Sequence, residues 1–360
     1  TMLVFSISYT LFGFHFPFNS DTVFDTFPKY QIIHQTFVGG DKFPFINSFE
    51  GGGIPLFLES IGDPISYLVL HWLNPVNYMI FSGFVYLSLC VCSQFLLLRH
   101  IGCSRGASLL GSFIWAFNLF NLAYLHEQIF AIFHICLPMA LVAIDKIQRG
   151  PDSPLPWSIF FTLLTSFMLL TGRWGLLQYC FWVYFIWVVI FTHNIKDFLK
   201  VSLWLSISVL AALLLTSFYS VPYFLEVITQ SYRSTEVVYP RHPHFLRLLV
   251  DQLYPGAGPD SGGYFTPLVV IPLAIVGLSK SSRLRNFCIC LGIIFLLLSH
   301  DFGIFQLIQK LPFQSGNRVA LRFVVFYYLA LSIMVAIGFD KLFVSKYRLN
   351  SVRRVFSSSS

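Results

Sequence analysis

Ten predominantly apolar segments constrain the fold of this chain more than any other feature. Several approach the roughly 20 apolar residues that a helix needs to cross the hydrocarbon core of a bilayer. Of all residues, 56% are hydrophobic and 11% are charged, whereas soluble domains carry about 25% charged residues. The pattern predicts an all-α polytopic membrane protein with about 10 transmembrane helices in a single domain over residues 1–360. The segments lie at about 1–18, 75–98, 106–125, 129–145, 155–172, 175–193, 200–222, 265–279, 286–300 and 323–343.

The positive charges between these segments predict the orientation of the chain. Lys and Arg concentrate in alternate connections, and cytoplasmic loops are the ones enriched in these residues. Both termini and the tail 344–360 are therefore predicted to be cytoplasmic, and loops 19–64 and 223–264 to lie outside. No soluble basic face is evident, which argues against nucleic-acid binding. The cationic positions are Arg99, Arg105, Lys146, Arg149, Lys196, Lys200, Lys280, Arg283, Arg285, Lys341, Lys346 and Arg348.

The cysteines and the chain ends add little chemistry. All seven cysteines fall in or beside apolar segments, so we interpret them as small apolar residues rather than as a disulfide framework. No Walker-type or GxGxxG loop is apparent, which argues against nucleotide binding. The sequence starts at Thr1 within an apolar run and ends in four serines, so truncation at either end stays open. The first segment lacks a small-residue cleavage site and is predicted to be a retained span.

Residues 19–64 form a polar stretch that contains 6 of the 16 acidic residues. We predict that this first outer loop contains short interfacial helices. Residues 22–37 are amphipathic but are interrupted by Pro28, which disfavours a continuous helix. Residues 64–73 are too short to span, and a helix is expected to break at Asn74-Pro75. The acidic residues are Asp21, Asp25, Asp41, Glu50, Glu59 and Asp63.

Several stretches, in order along the chain, resemble the bacterial YfhO-type membrane proteins. They include DTVFDTFPKY from Asp21, GGDKFPFINSFEGGGIPLF, LLTGRWGLLQY, and LPFQSGNRVALRF. That family belongs to the GT-C class of polytopic glycosyltransferases, which use polyprenyl-phosphate-linked sugars at the outer face of the membrane. The resemblance implies a GT-C-like enzyme of the inner (cytoplasmic) membrane with a glycan, lipid or protein acceptor. The chain departs from the family at Phe45, where Trp is usual, and the family commonly has further spans.

The resemblance implies that Asp21 is the catalytic carboxylate. An acceptor hydroxyl attacks an anomeric carbon poorly unless a base takes its proton in the transition state. Partial desolvation at the membrane surface raises the basicity of a carboxylate. Asp25 follows one helical turn later and is a second candidate catalytic residue. The alternatives are that Asp21 caps a helix beginning near Thr22 and that Asp25 pairs with Lys29 on a solvated face.

Arg318, Arg322 and Arg173 are the candidates for binding the phosphate of the donor. Each lies at the predicted outer end of a span, against the trend of the other cations, and guanidinium groups bind phosphate bidentately. Lys310 is a further option. The alternative is that the two later arginines only extend from helix ends towards the headgroups.

A few other polar residues are candidates for lining the cavity. These are Glu50, Asp63, His126 and Asp301, for which loop solubility or turn capping is the simpler explanation. His126-Glu127 is not a zinc motif, because HExxH requires His where this chain has Phe130. His242 and His244 form only a weak HxH pair. No metal site is therefore predicted, although a divalent metal as a cofactor stays open.

Two other classes of function stay open at this point. A transporter or flippase for a lipid-linked solute would need charged or broken helices near the bilayer midplane, and the midspan positions are nearly free of charge. A non-catalytic membrane subunit with a glycosyltransferase-like scaffold is the third hypothesis. Convergence of Asp21, Arg318 and Arg322 on one outward cavity would favour the enzyme.

Overall fold

The computed structural model describes a series of separate stretches of the chain. Statements below about what is present, absent or counted refer to these residues. They are residues 27–38, 46–47, 54–55, 69–70, 72–123, 129–149, 153–171, 174–222, 270–279, 282–299, 306 and 323–344.

Helices dominate the described stretches. The last helix continues into a π-helical turn, Asp340–Val344. One pair of two-residue antiparallel strands, β1 (Ile46–Asn47) and β2 (Ile54–Pro55), lies between the first two helices in the sequence. The helices are α1 (Phe27–Val38), α2 (Pro75–His100), α3 (Arg105–Ala116), α4 (Leu119–Ala123), α5 (Ile129–Arg149), α6 (Leu155–Leu170), α7 (Trp174–Phe191), α8 (Ile195–Leu215), α9 (Val270–Leu278), α10 (Arg283–Ser299) and α11 (Val324–Phe339).

Four helices are long and apolar enough to cross a membrane by length and composition. They are Pro75–His100, Ala131–Arg149, Ile195–Leu215 and Val324–Phe343, and shorter apolar helices cover Leu155–Leu170 and Leu177–Phe191. These findings agree with the prediction of an all-α membrane protein. The number of spans stays a prediction, since segment 1–18 lies outside the described stretches.

The helix boundaries correct the sequence prediction at two places. Segment 106–125 is not one helix: α3 ends at Ala116, and the Nδ2 group of Asn118 donates to the carbonyl of Trp115 (2.5 Å) where the chain breaks. Pro28 does not interrupt a helix, because α1 begins at Phe27 and the first turn tolerates proline. The predicted break at Asn74-Pro75 is confirmed, with the Asn74 side chain accepting the N–H of Asn77 (2.9 Å).

The chain divides into two compact units, of which the first comprises residues 1–90, 121–182 and 193–234. Its largest helices, α5, α6 and α8, pack on one another. Hydroxyl groups join α6 to α8: the Oγ atoms of Ser158 and Ser208 lie 2.6 Å apart, and Thr162 donates to the Ser208 carbonyl (3.3 Å). Such polar contacts link helices that gain little from apolar burial in lipid.

The second unit comprises residues 91–120, 183–192 and 235–360. Its centre is α11, which packs on α3, α9 and α10. Glycines allow the helix backbones to approach closely: a Cβ on Gly338 would overlap the Leu273 carbonyl, and one on Gly277 would overlap the Met334 carbonyl. Small residues at helix crossings are typical of membrane proteins, so the unit is built around close backbone contacts.

Candidate functional site

The residues predicted to carry chemistry lie outside the described stretches. The structure does describe the helices that precede or follow several of them in the chain. The contacts of those helix ends are described below. The residues concerned are Asp21, Asp25, Glu50, Asp63, His126, Arg173, Asp301, Arg318 and Arg322, and also Lys310, His242 and His244.

The helix that follows the two candidate catalytic acids packs on the start of α2. The rings of Tyr30 and Tyr78 meet edge to face with their centroids 5.0 Å apart, and both side chains are buried. The Nδ1 atom of His34 lies 2.7 Å from the carbonyl oxygen of Leu70, in donor geometry if that nitrogen carries the proton. Asp25 precedes the first residue of α1 by two positions. The segment carrying the acids therefore leads directly into a helix anchored to α2.

At one end of the second unit, the end of α10 contacts the start of α11. The rings of Phe295 and Tyr327 lie with their centroids 5.6 Å apart. Asp301 follows α10 by two residues, and Arg322 immediately precedes Phe323, the residue before α11. Chain connectivity thus attaches one candidate acid and one candidate phosphate ligand to neighbouring helix ends.

Two hydrogen bonds join the C-terminal end of α11 to the start of α3 and to the end of α9. The backbone N–H of Ser104, which caps α3, donates to Oδ2 of Asp340 beyond the end of α11 (2.8 Å). The Lys341 ammonium donates to the Ser279 hydroxyl beyond α9 (2.7 Å). These two contacts therefore join the start of α3, the end of α9 and the end of α11. Their grouping agrees with the assignment of their cationic connections to one membrane side.

A further contact at cationic helix ends joins α7 to α10. Arg283, at the start of α10, donates from Nη1 to the carbonyl of Phe191 at the end of α7 (3.1 Å). In the first unit, Arg149 pairs with Asp145, and the Lys146 ammonium lies 5.8 Å from the centroid of the Trp157 ring. Cations near the C-terminal ends of α5 and α11 also interact favourably with the helix dipoles. Which side of a membrane these ends face stays a prediction from charge.

Sequence reasoning missed a buried polar contact between α2 and α11. The Nε2 group of Gln94 donates to the Ser332 hydroxyl (2.8 Å), which in turn donates to the Leu329 carbonyl. Gln94 and Ser332 are fully buried, and Oε1 of Gln94 has no hydrogen-bond partner. The available signal was an amide side chain within an otherwise apolar segment, which in a membrane helix points towards a neighbouring helix.

The described part of the chain offers limited ligand chemistry of other kinds. Within it, no three His, Cys, Asp or Glu side chains are grouped closely enough to hold a metal ion. Five of the seven cysteines are buried.

No protein-family model matches the chain, and no curated protein or solved structure shows significant similarity to it. The resemblance to YfhO-type proteins therefore rests on the ordered sequence motifs themselves.

Proposed function

We propose that this protein is an integral membrane glycosyltransferase that transfers a sugar from a polyprenyl-phosphate donor to an extracytoplasmic cell-envelope glycan, lipid or protein. The observation that carries the proposal is the concentration of 6 of the 16 acidic residues in residues 19–64, directly after an apolar segment. The resemblance to YfhO-type proteins supplies the reaction class. An acidic loop at an apolar–aqueous boundary offers a base where a lipid-linked donor presents its sugar.

The proposed architecture is a GT-C-like bundle of about ten spans. The four helices of membrane-spanning length form its frame, and the shorter apolar helices and segment 1–18 complete it. Loop 19–64 and the connections at Arg173 and Arg318–Arg322 then belong to the same, outer side. Their placement there follows from the positive-inside rule, and the contacts between the cationic ends of α3, α9 and α11 support it.

In the proposed reaction, the acceptor hydroxyl oxygen attacks the anomeric carbon of the donor sugar. A new glycosidic C–O bond forms with inversion, and the bond from that carbon to the polyprenyl phosphate oxygen breaks. The phosphate leaves with the electron pair, and the Asp21 carboxylate takes the hydroxyl proton. Arg318 and Arg322, with Arg173 as a third candidate, stabilise the leaving phosphate through charge-assisted hydrogen bonds.

The contact between α10 and α11 supports the proposal that Asp301 and Arg322, both in the second unit, lie near each other. Asp301 and Arg322 are attached to the two helix ends that Phe295 and Tyr327 bring together. The packing of α1 on α2 supports a fixed position for the segment that carries the acids, because it anchors the helix that follows Asp25. Asp25 is proposed to orient the acceptor, and Glu50, Asp63, His126 and Asp301 to line the cavity.

The decisive experiment replaces the proposed base in the full chain reconstituted into proteoliposomes. The measured quantity is the hydrolysis of radiolabelled undecaprenyl-phosphate-hexoses, in which water replaces the natural acceptor and the sugar is released with its hydroxyl group. Asp21→Asn is expected to lower the rate by at least about 100-fold, the usual contribution of a general base. Glu59→Gln, in the same loop and without an assigned role, is the matched control. Equal rates for the two variants would remove Asp21 as the base.

A binding measurement tests the arginines separately. Arg322→Gln is expected to weaken the binding of undecaprenyl phosphate by about tenfold or more, since a hydrogen bond to a charged group contributes about 1.5–3 kcal/mol. Arg353→Gln, in the C-terminal tail, is the control for loss of one charge. Solute flux across the vesicles without any sugar release would instead favour the transport hypothesis.

A further inference from the structure

We propose that the ends of α2, α3 and α11 form a binding site for the headgroup of an anionic phospholipid, with Arg99, Arg105 and Lys341 as its cations. This site lies at the cationic end of the second unit. The proposal is independent of the glycosyltransferase activity, because it involves neither the acidic loop nor the outer arginines.

A continuous series of contacts gathers the three cations. The Arg99 guanidinium donates from Nη1 to the carbonyl of Cys103. The next residue, Ser104, donates its N–H to Oδ2 of Asp340 (2.8 Å). Arg105 and Lys341 directly follow the two partners of that hydrogen bond. Arg105 and Lys341 are therefore adjacent in sequence to the contact that joins α3 to α11, and Arg99 is hydrogen-bonded to the residue before it.

The positive charge of this cluster is only partly compensated. Asp340 is the carboxylate at the junction, and its Oδ2 atom accepts the Ser104 N–H at the start of α3, where negative charge is favourable. Oδ1 of Asp340 is buried and has no hydrogen-bond partner. Neither Arg99 nor Arg105 forms an ion pair among the residues that the structure places. Arg99 and Arg105 therefore leave positive charge at this junction that no carboxylate of the described residues pairs with.

Exposed apolar side chains continue from the two arginines along their helices. On α2, the exposed residues Cys92, Leu96 and Arg99 are spaced by four and three positions and so share one face. Leu96 is 50% exposed, and Leu109, one turn beyond Arg105 on α3, is 46% exposed. A cation followed at one-turn spacing by exposed apolar residues matches a lipid, whose phosphate meets the cation and whose acyl chain follows the apolar face.

The chemistry of the cations favours a phosphate as the bound group. One nitrogen of Arg99 is engaged by the Cys103 carbonyl, which fixes the guanidinium plane and leaves its other donors available. Guanidinium groups bind phosphate oxygens through paired hydrogen bonds. The predicted cytoplasmic leaflet is also the one that is rich in anionic lipids. These points favour an anionic phospholipid over a zwitterionic one.

The test uses the full chain in detergent and native mass spectrometry with added phosphatidylglycerol or phosphatidylcholine. A basic residue near an anionic surface contributes about fivefold to affinity. Arg99→Gln/Arg105→Gln is therefore expected to weaken phosphatidylglycerol binding about 25-fold and to leave phosphatidylcholine binding unchanged. The matched control is Lys196→Gln/Lys200→Gln, which removes two exposed cations from the start of α8.

The single variant Arg105→Gln keeps the test valid if the double variant fails to fold, because Arg105 has no side-chain contact described at this junction. It is expected to lose about fivefold in affinity for phosphatidylglycerol. Arg99→Lys/Arg105→Lys, which keeps both charges, is expected to retain the preference for phosphatidylglycerol. Equal losses in the control pair, or equal binding of the two lipids by the unaltered protein, would overturn the proposal. Competition by millimolar inorganic phosphate would show instead that the site binds free phosphate.

Discussion

Helices α8 and α11 are both apolar and long enough to span a membrane, yet their surroundings are opposite. The contrast is seen in the most apolar 18 residues of each span. In the span Val324–Phe343, which contains α11, 67% of this stretch is buried inside the protein, compared with 17% in α8. Both spans are strongly apolar, with at most two charged residues in the most apolar stretch of each. Hydrophobicity alone therefore does not determine which span occupies the centre of a unit.

Residue size at the helix crossings explains the difference. α11 presents Gly338 and Ala336 to its neighbours, and Gly277 of α9 and Gly111 of α3 lie directly against its backbone. α8 instead buries mainly Val201, Ser208 and Ala212, while most of its leucines are exposed. Lipid tails solvate leucine as well as a protein interior does, so close packing and polar contacts decide helix association. Each prediction below changes one of these contacts, from the largest expected effect to the smallest.

The largest effect is expected from Gly338→Ala. A Cβ at this position would overlap the Leu273 carbonyl, so α9 and α11 must move apart, which costs about 3 kcal/mol by analogy with overpacked cores. Thermal unfolding in detergent, followed by size-exclusion chromatography, measures the loss. Gly292→Ala on α10 is the control, because no described residue outside its own helix backbone has an atom within 4 Å of the added Cβ. A similar loss in both variants would show that helix separation is not the cause.

A smaller effect is expected from Ser332→Ala on α11. The change removes the acceptor of the Gln94 amide and leaves a buried donor unsatisfied, at a cost of about 2 kcal/mol. The double variant Gln94→Leu/Ser332→Ala removes both polar groups and is expected to recover most of the lost stability. Thermal unfolding of the full double-mutant cycle measures the coupling between the two positions. Additive losses would contradict a direct interaction.

The hydroxyl contact of α8 is expected to contribute less. Ser208→Ala removes the hydrogen bond to Ser158 on α6, and such interhelical bonds average about 0.6 kcal/mol in membrane proteins. Ser206→Ala, on the exposed side of the same helix, is the matched control and is expected to be neutral. Equal unfolding temperatures for the two variants would show that the Ser158–Ser208 contact does not hold α8 in place.

The sequence allowed the helical class and most helix positions to be predicted, because apolarity marks the segments directly. Nine of the ten apolar segments correspond to described helices. Their ends were predicted less well, since apolarity does not indicate capping. α8 begins at Ile195 rather than near 200, because Asn194 accepts the N–H of Asp197 (2.8 Å) and extends the helix into a charged region.

The contacts between helices were beyond sequence reasoning. Nothing in the apolar pattern distinguishes Gly338, which touches the α9 backbone, from Gly292, which has open space beside it. Gln94 was equally hard to interpret, because its partner Ser332 lies 238 residues later in the chain. The candidate site was predicted from charge order and family resemblance. Asp21 and Arg322 remain predictions, because both lie outside the described stretches.

The smallest effect is expected on the outward face of α8. Leu203 is 61% exposed, whereas Val201, two residues earlier, is 1% exposed. Leu203→Ala removes contacts with lipid or detergent only and is expected to change the free energy of unfolding by less than about 0.5 kcal/mol. Val201→Ala, although it removes fewer atoms, leaves a cavity and is expected to cost about 1–2 kcal/mol. If the leucine variant were the more damaging of the two, the outward face of α8 would have to contact protein, and the contrast with α11 would disappear.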